Sequence, residues 1–450
     1  MYVRQLAQRA EAGNPIRVGI IGAGKFGGGL IAQISLMKGM DVAAVADLSL
    51  DHARGAFAVS KIGDDALKVA STPQQIDEVI HGGKCAITED AMNVIQSELV
   101  DVVVDATGIP NVGARVAYES IMHNKHIVMV NVEADVTIGP ILRRLADSAG
   151  VVYTAVDGDQ PGCTMNIVEW ARTLGFDIVA AGRGTIMFDD DRYATPDSVP
   201  ERFGFDRETL ERRSINLQMF NSFRDGTKAQ VEMTALANMA GLPPDVRGMH
   251  EPSVNLADIP QRFALKEEGG MLSQHGVVEL ANSIATDGRT MLPDPVKMGV
   301  FVVIRTEHPF IQEDLQFYNV HPGGNNNNYL LYRPYHLVAV EAPISIAKAV
   351  LDGAPTGASL PVPTAEVITV AKRHLEKGKT IDGGGGYTVN GICEKATVAG
   401  DENLLPLGLS AGVKLVKDVA QGEAITYDMV EIDPDSFVYR LRKLQDSAIW

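Results

Sequence analysis

The most chemically loaded stretch of this 450-residue chain runs over 214–242. It carries Asn221-Ser222-Phe223-Arg224-Asp225-Gly226-Thr227-Lys228, then Glu232, Asn238 and Gly241. An Asp-Gly turn leads into a helix expected from Thr227 to Met239. Lys228 falls in its first turn, where the helix dipole disfavours a cation, and Glu232 lies one turn on along the same face. A lysine so placed can hold an acid-paired charge, deliver a proton to a carbonyl oxygen or grip a phosphate. The same spacing also describes a plain surface Lys/Glu pair. Asp225 and Glu232 are the acids expected to orient it. His336, in Pro334-Tyr335-His336-Leu337, is a candidate general acid or phosphate partner, or a satisfied core histidine.

Further acids sit where strands are expected to end. Glu133 and Asp135, in Asn131-Val132-Glu133-Ala134-Asp135, are candidate active-site carboxylates or capping acids for a helix expected to begin near Thr137. Asp157-Gly158-Asp159-Gln160 reads as a hinge or an acidic turn, and the run Asp189–Asp191 as a solvated turn or a metal site.

A second kind of chemistry is written in glycine. Arg17-Val18-Gly19-Ile20-Ile21 leads into Gly22-Ala23-Gly24-Lys25-Phe26-Gly27, and a helix-compatible segment follows from Gly28 to Lys38. Strand, Gly-x-Gly-x-x-Gly turn and helix form half of a dinucleotide-binding unit. Gly22 serves the tight turn, Gly24 the approach of a pyrophosphate, and Gly27 the packing of helix on strand. Lys25 and Phe26 complete the loop. Another strand, 41–46, ends in Asp47, twenty residues past Gly27, where the unit places an acid against a ribose hydroxyl. Thr107-Gly108 ends the strand 101–105 and is expected by the nicotinamide ribose.

These residues need scaffolds. From 14 to about 160 the pattern alternates strands (17–21, 41–46, 101–105, 127–132, 151–156) with helices (52–60, 74–79, 87–97, 111–123, 137–148). Such alternation predicts an α/β, doubly wound parallel sheet of the Rossmann type over residues 1–160. Residues 161–362 change character, with strands expected at 177–186, 299–305 and 329–340, and read as a central α+β catalytic and oligomerisation domain. The proline- and glycine-containing stretch 355–365 reads as a linker. Residues 363–450, with short strands and glycine turns, read as a small β-rich module. Residues 1–13 form an amphipathic helix, either an arm for a neighbouring subunit or a helix on its own domain.

The balance of 57 acids against 40 bases gives a net charge of −17, which argues against nucleic acid or an anionic membrane as partner. It leaves room for a small-molecule substrate, including a phosphorylated one, because a pocket needs only a few local cations. The three cysteines, Cys85, Cys163 and Cys393, are far apart and lack metal spacing, which fits a reducing compartment. No apolar run reaches the roughly 18 residues a membrane helix needs, so a cytoplasmic location is expected.

Taken together, the glycine loop, Asn131–Asp135, Asp157-Gly158-Asp159-Gln160-Pro161, Asn221–Lys228, Pro334–Leu337 and the Gly-Gly-Tyr-Thr-Val segment at 385–389 resemble one family over nearly the whole chain. It is the homoserine-dehydrogenase-like NAD(P)-dependent oxidoreductases with a C-terminal SAF module. Within it, the similarity is strongest to the 1-deoxy-D-xylulose 5-phosphate reductoisomerase-like proteins, which make 2-C-methyl-D-erythritol 4-phosphate with NADPH. The resemblance implies a homodimer or higher oligomer and a need for a divalent metal, Mg or Mn, for which Asp159 is the candidate ligand. It also implies sensitivity to phosphonates and a catalytic role for Lys228 like that of the homoserine dehydrogenase lysine. The Asn-Gly-Thr-x-Asn segment of homoserine dehydrogenases is missing, which disfavours homoserine. Asp47 suits the free ribose of NAD, whereas NADP would need a cation nearby, Arg54 being nearest. Other polyol or sugar-acid dehydrogenases, and a cofactor-binding protein without turnover, are the alternatives.

Overall fold

The computed structural model describes residues 2–206, 216–324 and 327–449. Asn325 and Asn326, and Ser214 and Ile215 at the start of the loaded stretch, lie outside the described residues.

The chain forms two compact units: residues 1–162, 337–361 and 435–450 make the first, and 163–336 with 362–434 the second. The expected divisions at 160/161 and 362/363 therefore differ from the structure. Residues 337–361 and the C-terminal helix return to the first unit, and most of the expected third module belongs to the second.

In the first unit seven parallel strands lie in the order β3-β4-β2-β1-β5-β6-β7. They are β1 (Ile16–Ile21), β2 (Met40–Ala46), β3 (Leu67–Val69), β4 (Cys85–Thr88), β5 (Val102–Asp105), β6 (His126–Met129) and β7 (Tyr153–Ala155). This is the doubly wound sheet of the Rossmann type. The branched residues of β1 and β5 are buried on both faces, as a sheet covered by helices requires. β3 and β4 were not expected from the sequence; both are short and lie at one edge. Leu6, from the helix Val3–Glu11, joins the core formed by Ile16, Val18, Leu30 and Val45, so this helix packs on its own unit. The helix Phe437–Ile449 packs on the helices Pro110–Met122 and Val132–Ala149. There Asn111 accepts the amide of Val438, and Gln445 accepts that of Ile141.

The second unit is built on a mixed sheet, β11-β12-β10-β8-β9, comprising β8 (Asp177–Thr185), β9 (Val277–Asn282), β10 (Val300–Arg305), β11 (His321–Pro322) and β12 (Asn328–Arg333). The strand expected at 329–340 stops at Arg333, before Pro334, and a helix starts at Val338. The antiparallel pair β13 (Ala365–Ala371) and β14 (Val389–Lys395) comes from the C-terminal stretch. The helix Thr227–Ala240 packs against β8, β9, β13 and β14 and is buried from Ala229 to Ala240, as a helix with apolar contacts all round must be. Its polar side chains stitch the C-terminal strands to it. Asn238 accepts the amides of Thr364 and Ala365, Thr227 that of Gly391, and Gln230 that of Cys393.

Candidate active site

In the first unit the cofactor candidates form one structure, built mainly from backbone. Gly22 ends β1 with φ +100°, and a Cβ there would lie 2.8 Å from the Ala106 carbonyl oxygen. A Cβ on Gly27 would lie 2.2 Å from the Gly22 oxygen, so the turn closes only with glycine at both positions. Gly24 differs: a Cβ there would meet nothing within 4 Å. The loop thus presents open space immediately before the helix Lys25–Ile34, whose first amides and positive end favour a phosphate. Asp47, just past β2, accepts the amide of Ala23 (2.8 Å) on one oxygen and that of Ser49 (3.0 Å) on the other. Arg54, the expected cation for a 2′-phosphate, instead pairs with Asp64 at 3.0 Å.

Thr107 and Gly108 lie past β5, and Gly108 adopts φ +67° with open space around it. The Thr107 amide and hydroxyl both donate to Asp105, a fully buried carboxylate. Burial pushes the Asp105 carboxyl up to about 6, against the Thr107 hydrogen bonds that pull it down. The helix expected near Thr137 begins at Val132, because the side chain of Asn131 caps it by accepting the Ala134 amide. Glu133 and Asp135 are therefore first-turn residues and not caps. Glu133 is half-buried. Asp135 accepts the Tyr153 hydroxyl at 2.7 Å, and burial raises its carboxyl to about 6.

Asp159 is buried, and its carboxylate accepts the amide of Gln160, the first residue of the next helix. The acids brought together here are Asp157 and Glu341, with carboxylate oxygens within 4.8 Å of each other. Only folding brings Glu341 to the 157–159 turn, so sequence spacing held no sign of the pair. As a donor set, hard carboxylate oxygens suit Mg or Mn.

In the second unit Lys228 is half-buried in the first turn of the helix Thr227–Ala240. Each of the two acids expected beside it meets a cation from elsewhere in the chain. Glu232 is buried against Arg183 of β8, and Asp225 accepts Lys372 Nζ at 2.5 Å and the Thr227 amide at 2.9 Å. Lys372 Nζ also donates to the carbonyls of Ala194 and Gly386. Burial raises the Asp225 carboxyl while the adjacent Lys372 opposes that shift. Sequence reasoning missed both cations: Arg183 lies 49 residues from Glu232, and Lys372 lies 147 from Asp225. Asp191, of the acidic run, is buried against Arg224 (2.6 Å) and Arg202 (3.5 Å), so guanidinium groups take the place a metal would need. His336, on the loop after β12, has its Nδ1 3.0 Å from the Met298 carbonyl oxygen.

Residues 158–342 match the family model described as Oxidoreductase DRL, catalytic domain. Over 166 residues the chain is 25% identical to a homoserine dehydrogenase of Methylobacillus glycogenes, an alignment covering 35% of this chain and 37% of that protein. Among solved structures, a probable dehydrogenase from Thermotoga maritima is 12% identical, covering 75% of this chain and 90% of its own, with a TM-score of 0.38. A DOX-P reductoisomerase in complex with magnesium is 14% identical, covering 47% and 57%, with a TM-score of 0.31. The WlbA dehydrogenase of Bordetella pertussis, in complex with NADH and UDP-GlcNAcA, is 17% identical, covering 40% and 49%, with a TM-score of 0.28. Among the described residues no helix is long and apolar enough to cross a membrane. Residues 158–342 thus match an oxidoreductase catalytic domain, the chain spans little more than a third of the homoserine dehydrogenase it matches, and its first unit is a Rossmann-type sheet that carries a glycine loop.

Proposed function

We propose that the chain is an NAD(P)H-dependent reductoisomerase that converts 1-deoxy-D-xylulose 5-phosphate to 2-C-methyl-D-erythritol 4-phosphate. The observation that supports it best is the coincidence of the oxidoreductase catalytic-domain match over 158–342 with the Asn221–Lys228 motif inside it. The glycine loop fits a dinucleotide: two glycines are sterically required and the middle one leaves room for a pyrophosphate. In this reading Gly22, Gly24 and Gly27 admit the pyrophosphate, the Lys25 and Phe26 amides face it, and Thr107-Gly108 lies by the nicotinamide ribose. The bound nicotinamide supplies hydride to a carbonyl carbon. Lys228 holds the proton that the carbonyl oxygen gains, while Asp225 and Glu232 fix the turn that carries it. Glu133 and His336 are the further candidates for substrate hydroxyls and phosphate. Asp159 is the ligand the resemblance implies for Mg or Mn, while the carboxylate oxygens that lie within 4.8 Å of each other are those of Asp157 and Glu341. NADPH follows from the resemblance. Asp47 pulls the other way, because a carboxylate at the end of β2 repels a 2′-phosphate and suits NADH. The chain is proposed to act in the cytoplasm as a homodimer or tetramer.

A second reading, a dehydrogenase of another polyol or sugar acid, is favoured by that same carboxylate. One assay separates the two: oxidation of NADPH and of NADH by the purified chain with Mn²⁺ and 1-deoxy-D-xylulose 5-phosphate. Turnover blocked by a phosphonate hydroxamate is the expected result. Tight binding of either nucleotide without turnover overturns the substrate assignment and leaves the second reading. Lys228→Met is expected to keep nucleotide binding and lower turnover about 10²-fold or more. Full activity in that variant removes Lys228 from the mechanism.

A further inference from the structure

A cavity of about 480 Å³ opens within the second unit, between the end of β8, the segment 186–203 and the helices Leu217–Arg224 and Thr227–Ala240. Its walls are of two kinds. One is apolar: Phe188, Phe203, Phe220 and Phe223, with Met291 and Met298. Phe203 packs edge-on against Phe220 at 5.5 Å, and Phe220 against Phe223 at 6.2 Å. Phe203 and Phe223 remain about two-fifths exposed. The other wall is cationic. Arg183, Arg202 and Arg224 line the cavity, and among its described lining residues Asp191 is the only acid.

The ion pairs leave that wall positive. Glu232 answers Arg183. Asp191 divides its two oxygens between Arg224 and Arg202, so one carboxylate serves two guanidinium groups. Arg224 is held further by the Ser198 hydroxyl at 2.6 Å, while Arg202 lies over the Phe188 ring at 4.0 Å. A surplus guanidinium fixed on an aromatic face, inside a chain of net charge −17, is an unusual concentration of positive charge. Its planar fork matches a carboxylate or phosphate, and the volume and apolar lining are those of a small-molecule pocket.

We infer that this cavity binds an organic oxyanion with a flat apolar body: the anion on Arg202 and Arg224, the body against Phe203, Phe220 and Phe223. The inference goes beyond the proposed reaction, because a polyhydroxylated five-carbon phosphate offers these rings no apolar surface. It is tested by binding, so it stands or falls apart from turnover.

The experiment is titration calorimetry on the full chain with 2-naphthyl phosphate, 2-naphthoate, 2-naphthol and inorganic phosphate, each with and without saturating NADPH. Both naphthyl anions are expected to bind about tenfold or more tighter than naphthol or inorganic phosphate, unaffected by NADPH. The preferred anion identifies the head group. Arg202→Gln is expected to weaken both anions about tenfold, with Arg202→Lys intermediate because it keeps charge and loses the fork. Phe223→Ser, at a partly exposed ring, is expected to weaken them with little change in melting temperature. Naphthol binding as tightly as the anions, displacement by NADPH, or anion affinities unchanged in both Arg202→Gln and Phe223→Ser overturns the inference.

Discussion

The two units hold charge by opposite means. In the first, the candidate cofactor site is made of backbone. Three glycines within six residues, the first amides of one helix and a carboxylate at the next strand end suffice, all inside residues 22–47. In the second, charge is held by side chains paired across long stretches of chain: Arg183 with Glu232, Asp225 with Lys372, His250 with Glu279. A backbone site depends on shape and can be lost to one methyl group. A side-chain site depends on neutralisation, and losing one partner strands the other in a medium that cannot solvate it.

The sharpest way to break this comparison is Lys372→Met. Asp225 would keep the Thr227 amide but lose its only described cation, with the carboxylate still buried. Removing one member of a buried pair typically costs about 3–5 kcal/mol, so chemical denaturation should show a loss of that order. Asp225→Asn in the same chain should recover part of it. A loss no larger than that of an exposed lysine would show that the pair contributes little.

The first unit contains a contrasting case, a buried acid without a cation. Among the described side chains Asp135 accepts the Tyr153 hydroxyl, and burial raises its carboxyl from 3.8 to about 6. The fold thus favours the protonated acid. Stability is expected to fall as pH rises from about 4 to about 6 and to stay lower above. A rise from 3.8 to about 6 corresponds to at most roughly 3 kcal/mol. Asp135→Asn keeps an acceptor for Tyr153 and cannot ionise, so its stability relative to the parent should climb across that window. A constant difference from pH 4 to pH 7 would remove Asp135 from the acid profile.

The glycine loop offers a third test, through two variants of one atom each. Gly27→Ala places a methyl 2.2 Å from a carbonyl oxygen and should cost about 1–3 kcal/mol of stability along with nucleotide affinity. Gly24→Ala enters open space and should leave the melting temperature within a degree or two while weakening nucleotide binding. Equal effects of the two on stability would mean that the middle glycine is structural and the cradle is not.

The same contrast explains what was legible in the sequence. β1, the glycine turn, β2 and Asp47 are local, and spacing alone locates them within a residue or so. The short strands β3 and β4 were missed because three or four residues carry too little periodicity to register. β9 was missed as well, since its identity comes from lying beside β8 rather than from a turn signal at its ends. The helix Phe437–Ile449 was assigned to a C-terminal module because nothing local says that Gln445 will meet Ile141 and Thr137. The helix carrying Lys228 was placed nearly to the residue, while the cations that Asp225 and Glu232 meet from elsewhere in the chain, Lys372 and Arg183, were not foreseen. An i,i+4 spacing is visible in a sequence, and a pair 147 residues apart is not.

The smallest expected effect belongs to a histidine. His250 Nδ1 lies 2.6 Å from Glu279 Oε1, its amide donates to the other oxygen of Glu279, and its Nε2 lies 3.8 Å from Asp245. Both carboxylates are fully buried, and the residues on either side, Met249 and Glu251, take left-handed backbone at φ +65° and +47°. The Glu279 hydrogen bond raises the imidazole above its usual 6.5; burial opposes the shift, the charges of Glu279 and Asp245 reinforce it, and Lys266 acts against it. A histidine raised in the fold contributes stability that is complete below the unfolded value and is lost as pH rises through the folded one. Melting temperature should therefore decline from about pH 6.5 upward by a modest amount, since the imidazole is partly exposed and screened. In His250→Gln that decline should flatten, while the acid-side profile to which Asp105 and Asp135 contribute in the other unit stays as it was. A decline that persists unchanged in His250→Gln would assign it to another group and leave the Glu279 contact as geometry without a titration.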